Sequence, residues 1–155
     1  MQDIQYSFEN FQFIEAGILK DYDLELRVKE TRPYNSETGY VPAYKFEMIH
    51  AMSKAVMGTV DLRVGLTEKL KMYGGHIGYE VFEEYRGHKY AARSCRLLFP
   101  LIRKLGIQPV VITCAPGNIP SVKTIESIGA ILLATRNVEI EPGKWRQTSI
   151  YHLYL

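Results

Sequence analysis

Cysteine is scarce in this chain, with two residues in all, and neither belongs to a CxxC or other metal-ligand spacing. Cys95 and Cys114 fall in a predicted helix and a predicted strand and read as reduced, small apolar side chains, which excludes a disulfide scaffold. No His or carboxylate spacing resembles a metal site, so no metal is expected. Long apolar runs are also missing. No stretch approaches a membrane span, and the N-terminal MQDIQYSFENFQF carries acidic residues where a secretory signal needs an apolar run. The expectation is a cytoplasmic protein with no membrane partner. Charge of one sign is not in excess: 19 Lys and Arg stand against 17 Asp and Glu, a net charge of +2. That balance, with the basic residues dispersed, argues against a nucleic-acid partner. The G-x-x-x-x-G-K-(S/T) phosphate loop is absent too, which sets aside that route to nucleotide chemistry.

What is present fits one domain over residues 1–155. At 46% apolar and 23% charged, a chain of 155 residues can bury a sizeable core and is not disordered. Linkers, repeats and low-complexity tracts are not seen. DLELRVKE, from Asp23 to Glu30, alternates Leu24, Leu26 and Val28 with charge and predicts a half-buried strand. The polar, proline-containing segment from Thr31 to Pro42 predicts a loop. Tyr44–His50 and Ala55–Arg63 predict a hairpin, Val64–Tyr73 a loop, and His76–Phe82 a central strand. Between Lys89 and Leu105, Ala91, Cys95, Leu98, Ile102 and Leu105 recur at helical spacing before Gly106, with Pro100 inside. Pro109–Cys114 reads as a strand and Pro120–Ile128 as a helix capped by Asn118. Ile131–Asn137 and Thr148–Leu155 read as final strands around a turn at Pro142–Gly143. The free edge of that C-terminal strand invites a homodimer.

The most informative stretch is YEVFEEYRGHKYAA, from Tyr79 to Ala92, in which a strand passes through a basic turn with glycine into a helix. A helix N-terminus presents unpaired N–H groups and the positive end of the macrodipole, which suits a phosphate. Arg86, His88 and Lys89 add positive charge there, and Gly87 permits close backbone approach. Downstream, VVITCAPGNIPSVKTIESIGA repeats the order of strand, turn, helix and glycine.

On these residues the chain resembles the GNAT superfamily of acyl-CoA-dependent N-acetyltransferases. Arg86-Gly87-His88-Lys89-Tyr90-Ala91 is similar to that family's pyrophosphate loop, Q/R-x-x-G-x-G/A. Asn118, Ser121 and Gly129 follow its N-x-x-(A/S) pattern and helix-ending glycine, and GGHIGY, then ITC, then N-x-x-S-x-K-T-I-E resembles one branch of it. The resemblance runs from about Val41 to the C-terminus. It implies an α/β (α+β) fold: a mixed twisted sheet of about six to seven strands, splayed central parallel strands and two main helices. It also implies acetyl-CoA as cosubstrate. The Tyr79, Glu80 and Val81 backbone would line the thioester, with a bulge near Glu80 opening the gap. Arg86, Gly87, His88, Lys89, Tyr90, Ala91 and Ala92 would hold the pyrophosphate, and Asn118 and Ser121 would flank the pantetheine arm.

Three departures bear on function. Lys89 stands where the pattern has glycine; its ammonium either pairs with a phosphate or obstructs the backbone, and pairing is the favoured reading. The two helices usual between the first strands have no room in Thr31–Pro42. The acceptor pocket is therefore wide, or is completed by residues 1–20 or by a second subunit. The family's glutamate base and tyrosine acid fall on Thr113 and Ile125, which can do neither task. Glu80 is the first substitute and His76 the second, with Glu83 and Tyr79 behind them. A weak base suits an amine of low pKa. A lysine-type amine near 10.4 is free in about one molecule in 2,500 at pH 7, against roughly one in seven for an α-amino group near 7.8. The expected reaction is acetyl transfer to a primary amine of a small molecule or peptide. The alternative is a non-catalytic acyl-CoA-binding or sensing domain.

Overall fold

Leu24 and Leu26 are completely buried, but the expected alternation stops there, since Glu25 between them is buried too and Val28 is exposed. The computed structural model, which describes residues 8–155, extends that strand to Leu24–Arg32 (β2) and pairs it with a short Leu19–Asp21 (β1), which the sequence pattern does not signal. Next come β3 (Ala43–His50), β4 (Val56–Arg63) and β5 (Ile77–Val81). These five form one sheet in the order β1-β2-β3-β4-β5, antiparallel at every junction. A second sheet holds β6 (Val110–Cys114), β7 (Ile131–Glu141) and β8 (Lys144–Leu153) in the order β6-β8-β7, also antiparallel. The class is therefore the mixed α/β one expected. The strands form two sheets, and there are eight of them among the described residues.

Three helices that lie wholly within the described residues accompany the sheets: α1 (Glu68–Met72), α2 (Tyr90–Leu105) and α3 (Ile119–Ser127). The apolar face of α2 buries Ala92, Cys95, Leu98 and Ile102 in one cluster with Ile125 of α3, Met48, Val60 and Leu62 of the first sheet, and Ile112 and Tyr151 of the second. Burial of this kind stabilises by about 25 cal/mol per Å² of apolar surface, so the cluster clamps the two sheets together. Pro100 lies on the exposed side of α2, where water can satisfy the carbonyl freed by its missing N–H.

Four expectations need correction. Val64–Tyr73 is not all loop, because the Thr67 hydroxyl accepts from the Leu70 N–H at 3.1 Å and caps α1. The C-terminal strand has no free edge: β8 lies between β6 and β7, which removes the stated ground for a homodimer. No bulge interrupts β5 at Glu80, since its register with β4 is regular from Ile77 to Val81. β7 and β8 also run longer than expected towards the Pro142–Gly143 turn.

The segment between β2 and β3 contains no helix, as expected, only a bridge from Asn35 to Tyr40. Extended residues take up part of the missing cover. The Tyr44 hydroxyl accepts from the Ile14 N–H at 2.7 Å, and Phe13 packs edge-on against the Tyr44 ring at 5.0 Å. Of residues 1–20, suggested as completing the site, 1–7 lie outside the described residues.

β5 and β6 share no ladder, and they meet at one junction. The His76 N–H donates to the Val111 carbonyl at 2.7 Å, and the Val111 N–H donates back to His76 Nδ1 at 2.9 Å. Gly75, at φ +62°, makes this approach possible, for a Cβ there would sit 2.4 Å from the Val111 carbonyl oxygen. Gly75→Ala should therefore destabilise by about 3 kcal/mol, through strain and overpacking together. Gly117→Ala, in open space, should stay within about 0.5 kcal/mol of wild type. Urea unfolding of the two variants measures both.

Candidate active site

From the His76–Val111 junction β5 and β6 run towards a common opening and part. Tyr79, Glu80 and Val81 border that opening from β5, and the turn and helix after β6 border it from the other side. The result is a cleft of about 600 Å³. At its mouth a short 3₁₀ turn, Glu83–Tyr85, leads into Arg86 and Gly87. The Arg86 Nε–H donates to the Val81 carbonyl at 3.0 Å and ties the turn to the end of the strand.

Two residues of this turn take left-handed backbone, Gly87 at φ 94° and Lys89 at φ 61°. Lys89 is the N-cap of α2 and supplies no side-chain cap. The first three N–H groups of the helix, from Tyr90 to Ala92, thus have no cap and no intrahelical partner, which is the anion-binding end of a 16-residue dipole. Lysine occupies the left-handed position that glycine would fill without strain.

The start of α2 is held from outside the cleft. The Tyr90 hydroxyl donates to Asp23 Oδ2 at 2.5 Å, and Arg93 pairs with Asp21 at 2.7 Å and with Asp23 at 2.6 Å. Hydrogen bonds from Tyr90 and then Arg93 hold the Asp23 carboxyl at about 2, well below the usual carboxylate range. The β1–β2 turn therefore anchors the helix end that faces the cleft, a role that Asp21 and Asp23 do not signal in sequence.

Across the opening, Asn118 caps α3 by accepting from the Ser121 N–H at 3.3 Å. The hydroxyls of Tyr79 and Ser121 are 2.7 Å apart. Burial pushes the Tyr79 phenol up to about 12, so it stays a neutral donor at any physiological pH.

Most of the residues expected at the site do line this one cleft: Tyr79, Glu80, Val81, Arg86, Gly87, Lys89, Tyr90, Ala91, Asn118 and Ser121. His88 and Ala92 do not. His88 is exposed with its ring against Tyr90, and Ala92 is buried in the core. Tyr85, Pro120 and Thr124 line the cleft unanticipated, although Thr124 lies one turn beyond Ser121 and so on the same helix face. Glu80 is exposed beside the opening.

The two positions expected to lack acid and base function are committed elsewhere. The Thr113 hydroxyl accepts from the Gly74 N–H at 2.9 Å, and Ile125 is fully buried. His76 is not in the cleft. With Nδ1 taken by the Val111 N–H, its neutral ring carries the proton on Nε2 and offers a donor, not a base. Burial, with the Arg63 and His152 charges, lowers its pKa to about 4.

A family model described as an acetyltransferase (GNAT) domain matches residues 15–131. The fold is similar to the ribosomal-protein-S5-alanine acetyltransferase of Vibrio fischeri, with a TM-score of 0.68 and 13% identity over 89% of this chain and 96% of that one. It is similar to a ribosomal L7/L12 alpha-N-protein acetyltransferase in complex with coenzyme A, with a TM-score of 0.67 and 16% identity over 90% and 98%. It is also similar to a Salmonella typhimurium acetyl transferase described as modifying the N-terminal serine of L7/L12, with a TM-score of 0.66 and 17% identity over 90% and 99%. No curated protein matches the sequence.

The buried, neutral His76 sets a pH dependence. Its folded pKa lies below the unfolded value, so its contribution to stability is complete above about pH 6.5 and is lost as pH falls towards 4. Thermal unfolding followed from pH 7 to pH 4 should show up to roughly 3 kcal/mol of loss from this source. His76→Gln should be flatter over that window, while the loss owed to Asp23, which begins near pH 4 and continues towards 2, should persist in the variant.

Proposed function

The chain belongs to the GNAT acetyltransferase family, and on that premise we propose that it transfers an acetyl group from acetyl-CoA to a primary amine. One observation carries the reading: the uncapped N-terminus of α2 and the unladdered edge of β5 open into the same cleft. A pyrophosphate seated on the amides of Tyr90 to Ala92 leaves its pantetheine arm along the Tyr79 to Val81 edge, where free backbone groups receive it as they would an added strand. A backbone N–H on that edge polarises the thioester carbonyl as the oxyanion develops. The acceptor nitrogen bonds to the carbonyl carbon, the C–S bond breaks, and the ammonium proton leaves to Glu80 or to water. The paired hydroxyls of Tyr79 and Ser121 are the donors available to the departing thiolate. A phenol with a pKa near 12 acts there by hydrogen bonding, since full transfer to a thiolate of pKa about 8.5 is uphill.

The acceptor follows from the weakness of the base. An α-amino group, free in an appreciable fraction at neutral pH, suits this site better than a lysine side chain. Two of the fold neighbours act, by their descriptions, on ribosomal-protein N-terminal residues. A peptide α-amine is therefore the first acceptor to assay. A second reading, acyl-CoA binding without turnover, draws on Thr113 and Ile125, whose side chains are occupied by structure. Proximity and backbone polarisation are sufficient for amine transfer without them.

Acetyl-CoA at about a hundredfold excess over its dissociation constant should add roughly 2.7 kcal/mol to stability, read as a rise in the unfolding midpoint. Arg86→Ala should reduce that rise. Lys89→Gly separates the two roles of Lys89. The apo variant should gain about 1 kcal/mol by losing left-handed strain, and its affinity for acetyl-CoA should fall about tenfold if the ammonium pairs with phosphate. No rise with the wild type removes acetyl-CoA from the reading; a rise with no acetylation across a panel of peptide and small-molecule amines leaves the binding domain.

A further inference from the structure

A second cavity, of about 740 Å³, opens beside the His76–Val111 junction, and its lining shares no residue with the cleft described above. None of its lining comes from α2 or α3; it is formed by α1, β6, β7, β8 and the residues flanking them, with Phe8 and with His76 immediately before β5. His76 lines it while only 6% exposed. Because Nδ1 accepts from Val111, the imidazole proton is on Nε2, and this donor meets no hydrogen-bond partner among the described residues. Nε2 is not sealed from solvent; it stands at the cavity wall as a donor open to a ligand that accepts there.

The charge of the lining is one-sided. Lys71 of α1 and Arg136 of β7 contribute, the His152 ring of β8 lies beside them, and no acidic side chain lines the cavity, in a chain with 17 acidic residues. Lys71 is shared with Glu68 in an exposed pair at 2.9 Å, and Arg136 has no ion-pair partner among the described residues. Apolar side chains, among them Met72, Val111, Leu133 and Ile150, make most of the remaining wall. The volume lies in the range of about 300–1,000 Å³ usual for small-molecule sites.

We propose that this cavity is a binding site for a small amphipathic anion, a carboxylate or phosphate monoester carrying an apolar body. Its anionic end faces His76, Arg136 and Lys71, and its body lies against Met72, Val111, Leu133 and Ile150. The site stands on its own residues and does not depend on acetyl transfer in the other cleft.

The test is titration of the full chain with 3-phenylpropionate, phenyl phosphate and the uncharged 3-phenylpropanamide, followed by the NMR signals of the His76 and His152 rings and the Val111 amide. At least one anion should shift those signals and bind about tenfold more tightly than the amide, the ratio expected for one charge-assisted contact. Arg136→Gln and Lys71→Gln, both at exposed positions, should each weaken the anion several-fold and leave the amide unchanged. Equal affinity for anion and amide would overturn the proposal, as would anion shifts confined to Tyr79, Ala91 and Ser121. A parallel titration with coenzyme A keeps the two readings separate: its failure to bind counts against acetyl transfer and leaves the second cavity untouched.

Discussion

The architecture turns on the short seam between His76 and Val111. Two antiparallel sheets that share a core still need one place where their edges touch, and here that place is a pair of backbone groups and one imidazole nitrogen. A parallel ladder would have continued along β5 and β6. Instead the imidazole takes the Val111 N–H that a carbonyl would otherwise receive, and the strands part beyond it. The junction requires glycine at position 75 for contact and a histidine that remains neutral while buried. Arg63 secures the approach by donating to the Gly74 and Gly75 carbonyls at 3.2 and 3.0 Å. The cleft is thus the consequence of a ladder stopped after one rung.

A second constraint fixes what faces the cleft. An uncapped helix N-terminus is a poor element unless something holds it in place, because its first N–H groups contribute nothing to the helix. In this chain the hold comes from behind, through Asp21 and Asp23 on Tyr90 and Arg93, so the amides remain free on the cleft side. The same clamp ties the β1–β2 turn to α2, which joins the N-terminal strands to the site without placing any of their residues in it. Left-handed backbone at Lys89 is tolerated within this frame because the clamp on Tyr90 and Arg93 fixes the helix start that follows it.

Much of this was legible in the sequence where a local rule governs. The periodicity of Ala91, Cys95, Leu98 and Ile102 with Gly106 located α2, and Asn118 with Pro120 located the start of α3. The order of the two strand, turn and helix units is enough to bring most of the cleft residues together. What escaped depends on contacts distant in sequence. Tyr79 and Ser121 are 42 residues apart and Tyr90 and Asp23 are 67 apart, so no window reveals either bond. The position of β8 between β6 and β7 likewise follows from pairing, which terminal location does not determine. His76 was read from its type as a titrating base, whereas its function in the fold follows from which nitrogen is occupied.

The second cavity lies against α1 and the second sheet, and Phe8 is the one residue of the N-terminal segment among those lining it. Ten residues between β2 and β3, 33–42, close on themselves through Asn35 and Tyr40 and leave the sheet without two helices of cover. Extended residues around Phe13 and Ile14 lie on Tyr44 in their place, yet an extended segment shields a narrower band of sheet than a helix pair would. The face nearer the seam is left to Phe8, Leu66 and α1, which reach across it without filling it. A cavity left by packing alone needs no polar lining and would ordinarily be apolar throughout. That its wall instead carries Lys71, Arg136, His152 and the imidazole donor of His76, with no carboxylate in the lining and only Glu68, outside it, paired with Lys71, is the reason to regard it as a site and not as a gap in the packing.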